Sequence, residues 1–116
     1  MQNNFIIILL IFSFSNLHAR YKEHITKQLK GQEYYLKQCA SCHGEGNRGG
    51  NLYSVREWKK MFAAKGRDLI ELHDDEEDTE QVMIYLKSNT FKKESAKMLK
   101  FIQEFAYDSD TIPTCN

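Results

Sequence analysis

Apolar residues along this chain recur at intervals of three and four, and no segment sustains the two-residue alternation of a half-buried strand. The fold is therefore expected to be all α. A first helix is predicted from about Tyr21 to Gln38, with Ile25, Leu29 and the Tyr35/Leu36 pair on one stripe. A loop rich in glycine follows, at Gly44, Gly46, Gly49 and Gly50. Ser54 and Glu57 then form a capping-box pattern that opens a helix whose inner face carries Val55, Trp58, Met61 and Phe62, and which Gly66 should end. Asp68 to His73 reads as a further turn, Thr79 to Ser88 as a short helix carrying Val82, Met83, Tyr85 and Leu86, and Lys92 to Tyr107 as a closing helix that buries Met98, Phe101, Ile102 and Phe105.

The first nineteen residues follow a different pattern. Phe5 to Phe14 form an apolar run broken only by Ser13, and the run gives way to a more polar stretch ending Leu17-His18-Ala19. This is the pattern of a secretory signal peptide, with cleavage expected after Ala19. The n-region carries no Lys or Arg, and Leu17 stands where a smaller residue is usual. The run is well short of the roughly twenty residues that span a bilayer, so an uncleaved anchor is the weaker reading and no transmembrane span is expected after cleavage. The expected organisation is a leader at 1–19 and one domain at 20–116, in an exported, periplasmic protein.

A domain of that size has a marginal core unless something else contributes to it. Its 16 basic and 16 acidic residues cancel, which leaves no global basic field for nucleic acid. Locally the charges separate: Asp74, Asp75, Glu76, Glu77 and Asp78 form an acidic run, while Lys87, Lys92, Lys93, Lys97 and Lys100 follow it. Such a dipole can orient a domain toward a partner, although a solvated helix face is the commoner meaning of a charge run.

The chemistry is concentrated in Cys39-Ala40-Ser41-Cys42-His43. Two thiols separated by a dipeptide can reach the two vinyl groups of one porphyrin, and a histidine immediately afterwards can place an imidazole nitrogen on its iron. Cys39 and Cys42 are therefore the expected thioether anchors of one covalently attached haem c, and His43 its proximal iron ligand. The competing readings fit less well. Structural zinc needs about four Cys or His ligands, and His18, His24, His73 and Cys115 are distant and unpaired in sequence. A thioredoxin-like CxxC should follow a strand in a βαβ pattern, and none is predicted here. A covalent haem would supply the missing core, since helices can each bury a face against its flat apolar body.

The chain resembles the class I c-type cytochromes over most of residues 20–116. That family has a glycine eight residues before the first cysteine and an aromatic four before it, matched by Gly31 and Tyr35, with Phe101 and Phe105 as suitable aromatics on the last helix. The resemblance implies that Gly31 lets the last helix cross closely. It also implies that Gly49-Gly50-Asn51-Leu52, similar to the family's Gly-Pro-x-Leu with proline replaced, supports His43 through a backbone carbonyl. The implied fold is a small cytochrome c-like helical domain wrapped round one haem, and the implied role is carriage of single electrons between a redox donor and a redox acceptor.

The far side of the iron departs from the family. Its usual Met-Pro is absent, and Thr90-Phe91 occupies the place where the methionine is expected. His73, after the apolar Leu69, Ile70 and Leu72, is the first candidate for sixth ligand. Met83 is the second, and an open or water-bound position the third. Met61 and Met98 lie on apolar helix faces and read as packing. A second histidine would give a lower potential than methionine, and a vacant position would admit small molecules. A haem enzyme or gas-binding sensor therefore stands as the alternative to the carrier, with a haem subunit of a membrane redox complex as the third reading. Trp58 reads as a core aromatic or a donor to a haem propionate, and Asn47, Arg48 and Asn51 as propionate partners or a solvated loop. Cys115 is an odd thiol near the chain end, read as an inert tail or an intermolecular bridge.

Overall fold

A computed structural model describes residues 28–110 of the chain. The leader expected at 1–19, the first part of the predicted opening helix and Cys115 lie outside the described residues. Within them all regular structure is helical: α1 (Leu29–Gln38), α2 (Ala40–His43), α3 (Gly46–Gly49), a 3₁₀ turn (Gly50–Leu52), α4 (Val55–Asp74), α5 (Glu80–Leu86) and α6 (Asn89–Glu104).

The first and last helices cross at Gly31. A Cβ built there would overlap the Lys97 carbonyl oxygen and lie 2.8 Å from the Cβ of Phe101, so only glycine permits this approach. This is the crossing that the family resemblance implied. One turn on, Tyr35 packs its ring against Phe101 at a centroid distance of 5.5 Å. The predicted stripe on α1 is corrected as a result. Gly31 and Tyr35 point inward, and Leu29 and Leu36, on the opposite side of the helix, are exposed. The backbone contact that glycine allows decides which face turns in, and it outweighs the leucines.

α4 begins as the sequence predicts. The Ser54 hydroxyl accepts from the Glu57 N–H at 3.1 Å while the Glu57 carboxylate accepts from the Ser54 N–H at 2.8 Å, which completes the capping box. Trp58 is buried on its inner face and Met61 and Phe62 are partly buried, but Val55 is exposed. The helix is interrupted at residues 63–66, where Ala63 is extended and Ala64, Lys65 and Gly66 have φ of 49°, 59° and 76°. Gly66 thus closes the first half, as expected, but through a left-handed turn that also recruits two non-glycine residues. A Cβ on Gly66 would lie 2.6 Å from the Phe91 ring. The chain then resumes helically to Asp74, which turns the expected short turn into a half-helix that carries His73 in its last turn.

α6 is capped by Ser88, whose hydroxyl accepts from the Phe91 N–H at 3.2 Å. Phe91, Met98, Phe101 and Ile102 form its buried stripe. Together with Tyr35, Trp58, Tyr85, Leu86, Phe105 and Ala106 they make the core. Each such large side chain contributes on the order of 1.5–3 kcal/mol on burial. The glycine-rich segment is not an open loop but two tight helical turns tucked against α6 and the residues that follow it, where a Cβ on Gly50 would lie 2.6 Å from that of Phe105. The net result is a bowl of helices with CxxCH on one wall and the second half of α4 on the other.

Candidate haem site

The bowl encloses a cavity of about 540 Å³. Cys39, Cys42 and His43 line it from α2 and the residue before it, and Leu69, Leu72 and His73 line it from the second half of α4. Tyr35, Trp58, Phe62, Phe91 and Met98 contribute an apolar floor. The cysteine pair and the first two histidine candidates for iron ligation are thus gathered in one place.

The His43 and His73 rings have centroids 6.0 Å apart and planes at 84°. An imidazole nitrogen binds a transition metal such as zinc at about 2.0–2.1 Å, so two rings on opposite sides of one ion have centroids about 6 Å apart. The spacing therefore fits one metal ion between them. The His73 Nδ1 is 2.7 Å from the Leu69 carbonyl. A carbonyl can only accept, so Nδ1 carries the proton and Nε2 keeps the lone pair a metal requires. A backbone carbonyl on the second ring nitrogen is the usual way a ligating histidine is oriented. Burial lowers the affinity of His43 for a proton, and the neighbouring His73 lowers it further.

Burial pushes the Cys39 thiol up to about 12, and the adjacent Cys42 adds to the shift. The Cys39 sulfur also lies 4.0 Å from the Met98 sulfur, against the buried stripe of α6. Among the described residues no three His, Cys, Asp or Glu side chains form a metal cage. A largely apolar cavity lined by two thiols and by two imidazoles 6.0 Å apart carries the donor set of a c-type haem site, and the residues present fit haem.

Several expected partners lie elsewhere. Met83 packs against the core, as does Met61, and neither is among the residues lining the cavity. Asn47, Arg48 and Asn51 are exposed and do not line it either. The Trp58 indole donates not to a propionate but to the Gly50 carbonyl, at 2.7 Å. That carbonyl belongs to the Gly49-Gly50-Asn51-Leu52 segment that the resemblance implies as the support of His43. What the sequence reading missed is the rim. Leu52 and Leu72 line the cavity yet remain half exposed, and Glu76, Glu77 and Asp78 bring the acidic run to its mouth. The run was visible in sequence; its place depends on the reversal of the chain after His73.

Fold and site together define a small all-helical c-type cytochrome domain. Residues 26–101, well over half of the chain, match the family model described as cytochrome c oxidase, cbb3-type, subunit III, and the chain belongs to that family. Membership implies haem c and haem-based electron transfer. No curated protein and no solved structure matches the chain.

Proposed function

We propose that this protein is an exported single-electron carrier with one haem c, joined by thioethers to Cys39 and Cys42 and held axially by His43 and His73. The observation that carries the reading is the pair of imidazoles 6.0 Å apart across the cavity that the CxxCH cysteines line. Haem supplies a reversible ferric–ferrous couple. The chain supplies everything else. Cys39 and Cys42 would hold the haem through thioethers, His43 and His73 would ligate its iron, and Tyr35, Trp58, Phe62 and Phe91 would keep water from it. Two imidazole ligands keep the potential below that of a His/Met pair. Leu52 and Leu72, which line the cavity and remain half exposed, give it an apolar rim at the surface, where an electron can pass without a substrate pocket.

The family's name points to a membrane oxidase as the partner assembly, and the leader read in residues 1–19 supports a periplasmic location. No helix among the described residues is long and apolar enough to cross a membrane. The alternative of a gas-binding or catalytic haem needs an open axial position, which His73 would fill.

The test is the ferrous optical spectrum with and without carbon monoxide, in the full-length chain matured with haem. The wild type should resist the gas and His73→Ala should bind it. Binding by the wild type would favour the sensor or enzyme instead, and a resistant His73→Ala would remove His73 from the iron.

A further inference from the structure

His73 is tied down more fully than ligation alone requires. Its Nδ1–H donates to the Leu69 carbonyl one helical turn earlier, at 2.7 Å. Its own carbonyl accepts from the Thr79 hydroxyl at 2.8 Å and from the Glu76 N–H at 3.3 Å. The same Thr79 hydroxyl also reaches the Glu76 carbonyl at 2.9 Å, so the loop behind the histidine is drawn closed. The half-helix that carries both Leu69 and His73 takes its direction from the left-handed turn at Ala64, Lys65 and Gly66. The ring that emerges from this scaffold stands at 84° to the ring of His43.

We infer that the Leu69 carbonyl is a positioning group that locks the His73 imidazole crosswise to that of His43, so that the iron is held between perpendicular axial rings. This rests on the proposal that both imidazoles ligate one iron, and it specifies something that proposal leaves free, the rotation of the distal ring about its bond to the metal. That rotation has an electronic consequence. An imidazole donates π density from the orbital normal to its plane. Parallel rings both load one iron d orbital and split it from its partner, whereas crossed rings load the two equally and leave them nearly degenerate. The Leu69 carbonyl and the Thr79 clasp are backbone-anchored, so the angle is set by the fold and not by the cavity walls.

The experiment is low-temperature electron paramagnetic resonance of the ferric, haem-loaded full-length protein, alongside His73→Ala supplied with free imidazole. Free imidazole can enter the vacated position but has no tether to Leu69. The wild type should give a strongly anisotropic low-spin signal dominated by a single low-field feature, and the rescued variant the three-feature rhombic signal of a ring free to turn. A rhombic low-spin spectrum in the wild type would overturn the crossed geometry while leaving both histidines on the iron. The same anisotropic signal in the rescued variant would overturn the role of Leu69, since the cavity alone would then set the angle. A high-spin wild-type spectrum would instead defeat the underlying two-histidine assignment, and the inference with it. The wild-type spectrum decides the angle even where the variant matures poorly.

Discussion

The indole N–H of Trp58 donates to the Gly50 carbonyl over 2.7 Å, from a ring that is 5% exposed. This bond ties α4 to the 3₁₀ turn that follows the CxxCH segment, and Tyr53 stacks edge-on against the same indole at 5.0 Å. Trp58→Phe would keep most of the apolar contact and leave the Gly50 carbonyl unpaired. A buried unsatisfied group costs about 1–3 kcal/mol, and a loss of that order is expected in denaturant unfolding of the haem-loaded protein. No measurable loss would show that water reaches the carbonyl.

Gly31→Ala should be costly for a different reason. The new methyl meets the Lys97 carbonyl and the Cβ of Phe101, and neither can move without separating α1 from α6. Overpacking of this kind costs about 1–3 kcal/mol or more. Thermal unfolding should show a clear fall, where alanine at an exposed helix glycine would raise stability slightly.

Ala64→Gly is predicted to stabilise. Its φ of 49° and ψ of 48° lie in the left-handed region, which costs an L-residue roughly 1–2 kcal/mol and glycine almost nothing. Glycine's greater freedom in the unfolded chain offsets part of this, so a net gain of up to about 1 kcal/mol is expected. A loss would mean that the methyl makes contacts worth more than the strain.

The capping box gives an acid sensitivity with a definite sign. Backbone and side-chain hydrogen bonds from Ser54 hold the Glu57 carboxyl below its usual range. A carboxylate with a lowered folded-state pKa adds stability above its unfolded value and loses it as pH falls through the folded one. Ser54→Ala should cost about 1 kcal/mol near neutrality, and Glu57→Gln, which keeps an acceptor for the Ser54 N–H but cannot titrate, should flatten the acid limb of the stability profile. An unchanged acid limb would assign the sensitivity to other carboxylates.

The acidic mouth should be read by small redox reagents. With Glu76, Glu77 and Asp78 lining the opening, a cationic inorganic complex should exchange electrons faster than an anionic one of similar potential. At low salt the ratio should be on the order of tenfold or more, and it should converge toward unity as ionic strength rises. A ratio indifferent to salt would place the exposed haem edge away from these carboxylates.

Much of this was legible in the chain. The capping box and the buried stripe of α6 follow from local spacing, because each is set by residues within a turn or two, whereas the glycine crossing was legible only through the family resemblance. Cys39, Cys42 and His43 were legible as a set since their chemistry demands adjacency. The inward face of α1 was not, because Leu29 and Leu36 carry a stronger hydrophobic signal than Gly31 and lose to a backbone contact with a helix some sixty residues on. The left-handed turn was half legible: Gly66 announces a helix end, but nothing in Ala64 or Lys65 announces φ above zero. Asn47 and Arg48 lie close in sequence to CxxCH, but the tight helical turns from Gly46 to Leu52 leave them outside the cavity lining. His73 and Met83 were not distinguishable by spacing; the return of α4 toward CxxCH brings His73 to the cavity, while Met83 is not among the residues lining it.

The central claim is that one iron sits between His43 and His73. Near-infrared magnetic circular dichroism of the ferric, haem-loaded full-length protein tests it directly, because the energy of the charge-transfer band reports the axial pair. The account predicts the band at the position of two imidazole ligands. A band at the lower energy of a histidine–methionine pair, or a high-spin spectrum, would contradict it.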